Sequence, residues 1–206
     1  MNKLLKAFLT CTIIFMTGYN LFREPSKKPV IYLYPESTTE VDVKVNLDGK
    51  FTVTYPKYHD GWKVVAEPDG TIHSLDNKNS YYCLFWEGFV NYTPDFSTGF
   101  VVKGSETEAF LEEAFTKLGL NDRERNEFII YWLPQMQDNA YNLISFQNEN
   151  YMNHATLDIS PKPDTVIRVM MAWKPLKESM AIQPQKLDSV ERNGFTVVEW
   201  GGTEYK

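Results

Sequence analysis

The sequence predicts an α+β fold, mainly antiparallel β, built as a sandwich or curled sheet with a two-helix insertion near residues 105–133. Three observations predict it. Short β-branched and aromatic runs with period-2 alternation fill residues 29–103 and return after residue 140. Between them, apolar residues recur at helical spacing behind two capping signatures. Apolar residues make up 43% of the 206 and charged residues 23%, a balance that fills a core and excludes wholesale disorder.

The elements follow in chain order. Residues 29–34 form a strand closed by Pro35. Val41, Val43, Val45 and Leu47 alternate with Asp42, Lys44 and Asn46, which predicts a half-buried strand. Asp48-Gly49 supplies a turn, and Phe51, Val53 and Tyr55 alternate on the return, so residues 40–55 read as a β-hairpin. Trp62, Val64 and Ala66 alternate between two further Asp-Gly turns, Asp60-Gly61 and Asp69-Gly70. Residues 81–86 read as a central strand and 98–103 as another. Ser105 with Glu108 then opens a helix that carries Phe110, Leu111, Ala114, Phe115 and Leu118 and stops at Gly119. Asn121 with Glu124 opens a second helix, and Pro134 is expected to push Leu133 out of helical conformation. Strands are expected at 141–147, 155–158, 166–173 and 195–200, with 174–194 a long surface connection.

The N-terminus has a different character. Lys3 and Lys6 precede residues 7–22, 16 in a row without a charge, and the first acid is Glu24. This is the pattern of an export segment, either a cleaved signal peptide or a retained membrane anchor. Residues 23–28 read as a linker and 29–206 as a single globular domain. Localisation outside the cytoplasm follows, attached to the envelope or secreted according to the fate of residues 1–22. Without those residues, 19 basic side chains face 27 acidic ones, a net −8 that argues against nucleic acid as a partner. Cys83 is then left alone, so no internal disulfide is expected.

Several segments in combination carry a resemblance: Lys28 to Pro35 (K-P-V-I-Y-L-Y-P), Phe85-Trp86-Glu87-Gly88, Tyr131-Trp132-Leu133-Pro134 and Glu199-Trp200-Gly201-Gly202. Over about residues 28–202 the chain resembles a group of bacterial exported or lipid-anchored proteins that begin their domain with this K-P-V-I-Y-L-Y-P segment. The resemblance implies export. It brings no activity, cofactor or catalytic residue with it.

The residues themselves offer two candidate chemistries. Glu87 and Glu199 each stand beside an indole at the end of an apolar strand, and two carboxylates flanking a sugar can serve as acid and base or nucleophile in a hydrolase. Trp86, Trp132 and Trp173, with Asn142 among the amides that follow the second helix, suit stacking and hydrogen bonding to a polar ligand such as a glycan or peptide. Those amides also suit the plainer task of satisfying irregular backbone, and a purely structural role is the third alternative. His59, His73 and His154 lack metal-ligand spacing, so no metal is expected. Ser145, His154 and Asp158 lack a nucleophile elbow, and no glycine loop opens a helix as a phosphate cradle, so no cofactor is expected. The expected partner is a polar ligand or protein outside the cytoplasm, with membrane contact only through residues 1–22.

Overall fold

The computed structural model describes residues 26–205. The expected signal or anchor at residues 1–22, and residues 23–25 of the expected linker, lie outside the described residues. In chain order the strands are β1 (Lys27–Tyr34), β2 (Thr39–Leu47), β3 (Gly49–Tyr55), β4 (Trp62–Ala66), β5 (Ile72–Ser74), β6 (Ser80–Tyr81), β7 (Leu84–Val90), β8 (Thr98–Lys103), β9 (Tyr141–Phe146), β10 (Ala155–Ser160), β11 (Thr165–Leu176), β12 (Gln183–Pro184) and β13 (Thr196–Glu204). Helices α1 (Thr107–Lys117) and α2 (Asp122–Met136) fall between β8 and β9, and the short α3 (Asn148–Met152) follows β9.

The strands make two sheets. Eight run in the order β12-β8-β9-β11-β13-β1-β7-β3, and five in the order β10-β2-β4-β5-β6. Neighbours are antiparallel except β11 with β13 and β12 with β8. Alternation along each strand divides the eight-stranded sheet into two working faces. On β1, Val30 and Tyr32 join the core under α1 and α2, whereas Ile31 and Leu33 join the core shared with the five-stranded sheet. The fold is thus α+β, with a helical pair on one side of a large sheet and a smaller sheet on the other. The helices cover β8, β9, β11, β13 and β1; Phe85 of β7 packs at the margin of that core, and Tyr55 and Phe89 on the same side are exposed.

Several expectations need correction. Residues 40–55 are not a hairpin: β2 pairs with β10 and β4, while β3 pairs with β7 in the other sheet. Asp48-Gly49 is a corner between sheets, and Gly49 has φ +157 with Phe89 O only 1.8 Å from where a Cβ would stand. The run 81–86 is broken at Tyr82-Cys83, with β6 before and β7 after, in different sheets. The first helix opens with a 3-10 turn, Gly104–Glu106, with no side-chain cap in place of the expected box. The second box forms as expected: Asn121 Oδ1 accepts from Glu124 N–H, and Glu124 accepts from Asn121 N–H. α2 nevertheless continues through Pro134 to Met136. The carbonyl that Pro134 leaves without its helical donor belongs to Ile130, a residue 74% exposed, while Trp132 and Met136 on either side of the proline are buried and hold the helix on the sheet. α3 was not expected, and Ser26 and Lys27, linker-like in composition, are already paired into the sheet.

Candidate functional site

Four aromatic side chains surround a groove of about 390 Å3 on the outer face of β7 and β3. Tyr55 comes from β3, Tyr81 from β6, Tyr82 from the link between β6 and β7, and Phe85 from β7; Lys28, Ser80 and Cys83 complete the lining with buried Val30. The register explains the convergence. Tyr55 is opposite Phe85, and Phe85 is opposite Val30. The sheet's edge therefore presents rings on the side that the helices leave open. Tyr55 is 62% exposed and Tyr82 47%. The Tyr55 and Tyr81 rings meet edge to face at 5.3 Å, which fixes one wall.

Lys28 supplies the charge. A bulge in the β1–β13 ladder falls between Lys27 and Val30, and Lys28 has φ 55, a left-handed conformation uncommon for a residue with a Cβ. Its ammonium lies 4.8 Å from the Tyr131 ring centroid and 5.5 Å from that of Trp200. Its backbone N–H donates to Glu87 Oε1 at 3.1 Å. At the far wall the Arg123 guanidinium sits 4.6 Å over the Tyr82 ring and donates to Glu127 Oε1, whose partner oxygen accepts from Tyr32 Oη. Burial first, and the Glu127 charge second, push the Cys83 thiol up to about 12. At neutral pH Cys83 is a thiol and no nucleophile. The groove therefore offers flat apolar faces, hydroxyls and one ammonium, which suit stacking and hydrogen bonding and carry no acid–base pair.

The residues singled out from sequence lie elsewhere. Glu87 and Glu199 occupy opposite faces of the eight-stranded sheet. Glu87 is two residues on from Phe85, on the outer face, whereas Glu199 is opposite Ile31 and points between the sheets. Glu199 is 1% exposed and fully engaged: Arg168 Nε donates to Oε2 at 2.7 Å, and Nη2, which donates to the Ala155 carbonyl, pairs ionically with the same oxygen at 2.6 Å. Trp86 Nε1 and Tyr151 Oη donate to Oε1 at 3.2 and 3.4 Å. Burial opposes the Arg168 charge, and the Glu199 carboxylate and Tyr151 together more than restore it. The two acids cannot flank one substrate, so they do not form the expected catalytic pair.

The expected ligand-binding set is likewise corrected. Trp86, Trp132, Trp173 and Asn142 are all buried, Trp86 between the sheets and Trp132 and Trp173 under the helices. Asn142 donates to Thr107 Oγ1 and to the Met136 carbonyl, both at 2.9 Å, and accepts from Asn139. Gln147 holds the Asp95 loop in the same manner, accepting from Asp95 N–H and donating to its carbonyl at 2.7 Å each. These amides satisfy irregular backbone. Among the described residues there is no group of His, Cys, Asp or Glu arranged to hold a metal ion. A larger hollow of about 550 Å3, beside Asp42, Lys44, Asp60 and Asp158, is walled by charged side chains; Lys44 and Asp60 pair at 2.9 Å.

Lys28, Tyr55, Ser80, Tyr81 and Tyr82 were not singled out by sequence reasoning. The signal available was the density of rings: Tyr81, Tyr82, Phe85 and Trp86 fall within six residues. Comparison with protein-family models, with curated proteins and with solved structures returns no match to this chain.

Proposed function

We propose that this protein is a binding module that takes a glycan outside the cytoplasm, using the groove formed by Tyr55, Tyr81, Tyr82 and Phe85 with Lys28. The observation that carries the proposal is the solvent exposure of Tyr55 and Tyr82 around a formed hollow. Ring surface left in water beside a concave site has an energetic cost that a ligand relieves. Sugar rings present apolar faces and peripheral hydroxyls, which match tyrosine faces rimmed by Ser80 and Lys28. The export pattern of residues 1–22 supports an extracytoplasmic location. A hydrolase built on Glu87 and Glu199 has no support in their placement.

An array of soluble and envelope-derived oligosaccharides, probed with the full chain, tests the proposal. Tyr55→Ala and Tyr82→Ala should each weaken binding about tenfold, the loss expected when a ring stacking contact is removed. Stability should change little, because neither side chain belongs to a core cluster. Affinity unchanged in both variants, or no glycan bound at all, overturns it.

A further inference from the structure

A second surface feature concerns the membrane. The uncharged run at residues 7–22 ends four residues before Ser26. Four residues of extended chain span at most about 14 Å. Ser26 is held in place: its N–H donates to the Gly88 carbonyl at 2.9 Å, and its carbonyl accepts from Gly88 N–H at 3.4 Å. Next to Gly88 stands Phe89, 40% exposed on the uncovered face of the sheet, and Val53 on β3 is 48% exposed on the same face. Lys50 is directly opposite Phe89, and Glu87, opposite Val53, accepts the Lys28 N–H.

We propose that this part of the β3–β7 face rests on a lipid bilayer, with Phe89 and Val53 in the interfacial layer and Lys50 at headgroup level. The occupant is fixed by the tether. A bilayer that holds residues 7–22 lies within reach of Phe89, whereas the exposed Val166 does not share that position. Val166 pairs with Val197, which pairs with Leu33, six residues along β1 from Lys27, or roughly 20 Å. Aromatic and lysine side chains together are the usual composition of a surface at the membrane–water boundary. The proposal rests on the expectation that residues 7–22 are retained in the membrane and does not depend on what the groove binds.

The test uses the full chain reconstituted in phosphatidylcholine–phosphatidylglycerol vesicles, with Val53→Trp, Phe89→Trp and Val166→Trp made singly. Fluorescence quenching by bromine on the lipid acyl chains is read for each, less the quenching of the wild-type chain, whose Trp62, Trp86, Trp132, Trp173 and Trp200 are buried. Extra quenching at positions 53 and 89 at least twice that at 166 is the expected result. Equal quenching at all three positions overturns the proposal, as does release of the chain from vesicles by alkaline carbonate. Should Phe89→Trp fail to fold, position 53 against 166 gives the same decision.

Discussion

Glu87 and Glu199 have nearly the same local sequence and opposite environments. Each adjoins a tryptophan and has a glycine within two residues, yet one faces out beside Lys28 and the other is buried against Arg168. A one-residue difference in parity separates them, because successive side chains on a strand point to opposite faces. That parity becomes visible only once Ile31 is known to pair with Glu199, and Val30 with Phe85. The buried pair also sets a test. Glu199→Gln leaves the Arg168 guanidinium without its counter-charge and should cost about 3–5 kcal/mol in urea unfolding. The double variant Arg168→Met/Glu199→Leu should recover most of that loss, since it removes both charges together. An unchanged midpoint for Glu199→Gln contradicts the assignment.

Among the elements, those fixed by local chemistry were legible and those fixed by tertiary pairing were not. β2, β8 and the start of α2 stand where alternation and the Asn121–Glu124 box place them. Asn121→Ala removes that cap and should destabilise the protein by about 1 kcal/mol, read by thermal or urea melts. Glu112→Ala, on the exposed side of α1, serves as the control and should change little. Equal effects of the two substitutions would argue against the cap. The hairpin failed as an expectation because Asp48-Gly49 suits a tight turn and a corner equally well. Alternation in β2 and β3 says that each strand has a buried face, and nothing about whether they share a sheet. Pro134 failed because burial of Trp132 and Met136 on either side of it outweighs the one helical hydrogen bond it forfeits.

For the molecule as a whole, the aromatic content is mostly core, and this has a consequence at high pH. Burial raises the phenols of Tyr32, Tyr92 and Tyr151 above their ordinary range, and pushes the Cys83 thiol up to about 12. In the unfolded chain these groups ionise near their usual values, about 10 for tyrosine and 8.5 for cysteine. From about pH 8.5 upward the unfolded state releases protons that the folded state keeps, so stability falls as pH rises, by up to about 1.4 kcal/mol per pH unit for each group. Below about pH 7 these groups contribute almost no slope. The urea midpoint should therefore drop clearly between pH 8 and pH 10.5, and a midpoint constant across that interval would contradict the burial of these side chains.

The same aromatic surplus that fills both cores leaves a few rings at the open edge of the large sheet. Composition announced the surplus, but only the pairing of Tyr55 with Phe85 and the break at Tyr82-Cys83 showed where it surfaces. Amide hydrogen exchange on the full chain, with and without millimolar soluble oligosaccharides, decides whether that edge is a binding site. Protection confined to peptides containing Lys28, Tyr55 and residues 80–85 is the outcome predicted. Protection centred on other surfaces, or none with any oligosaccharide, would contradict it.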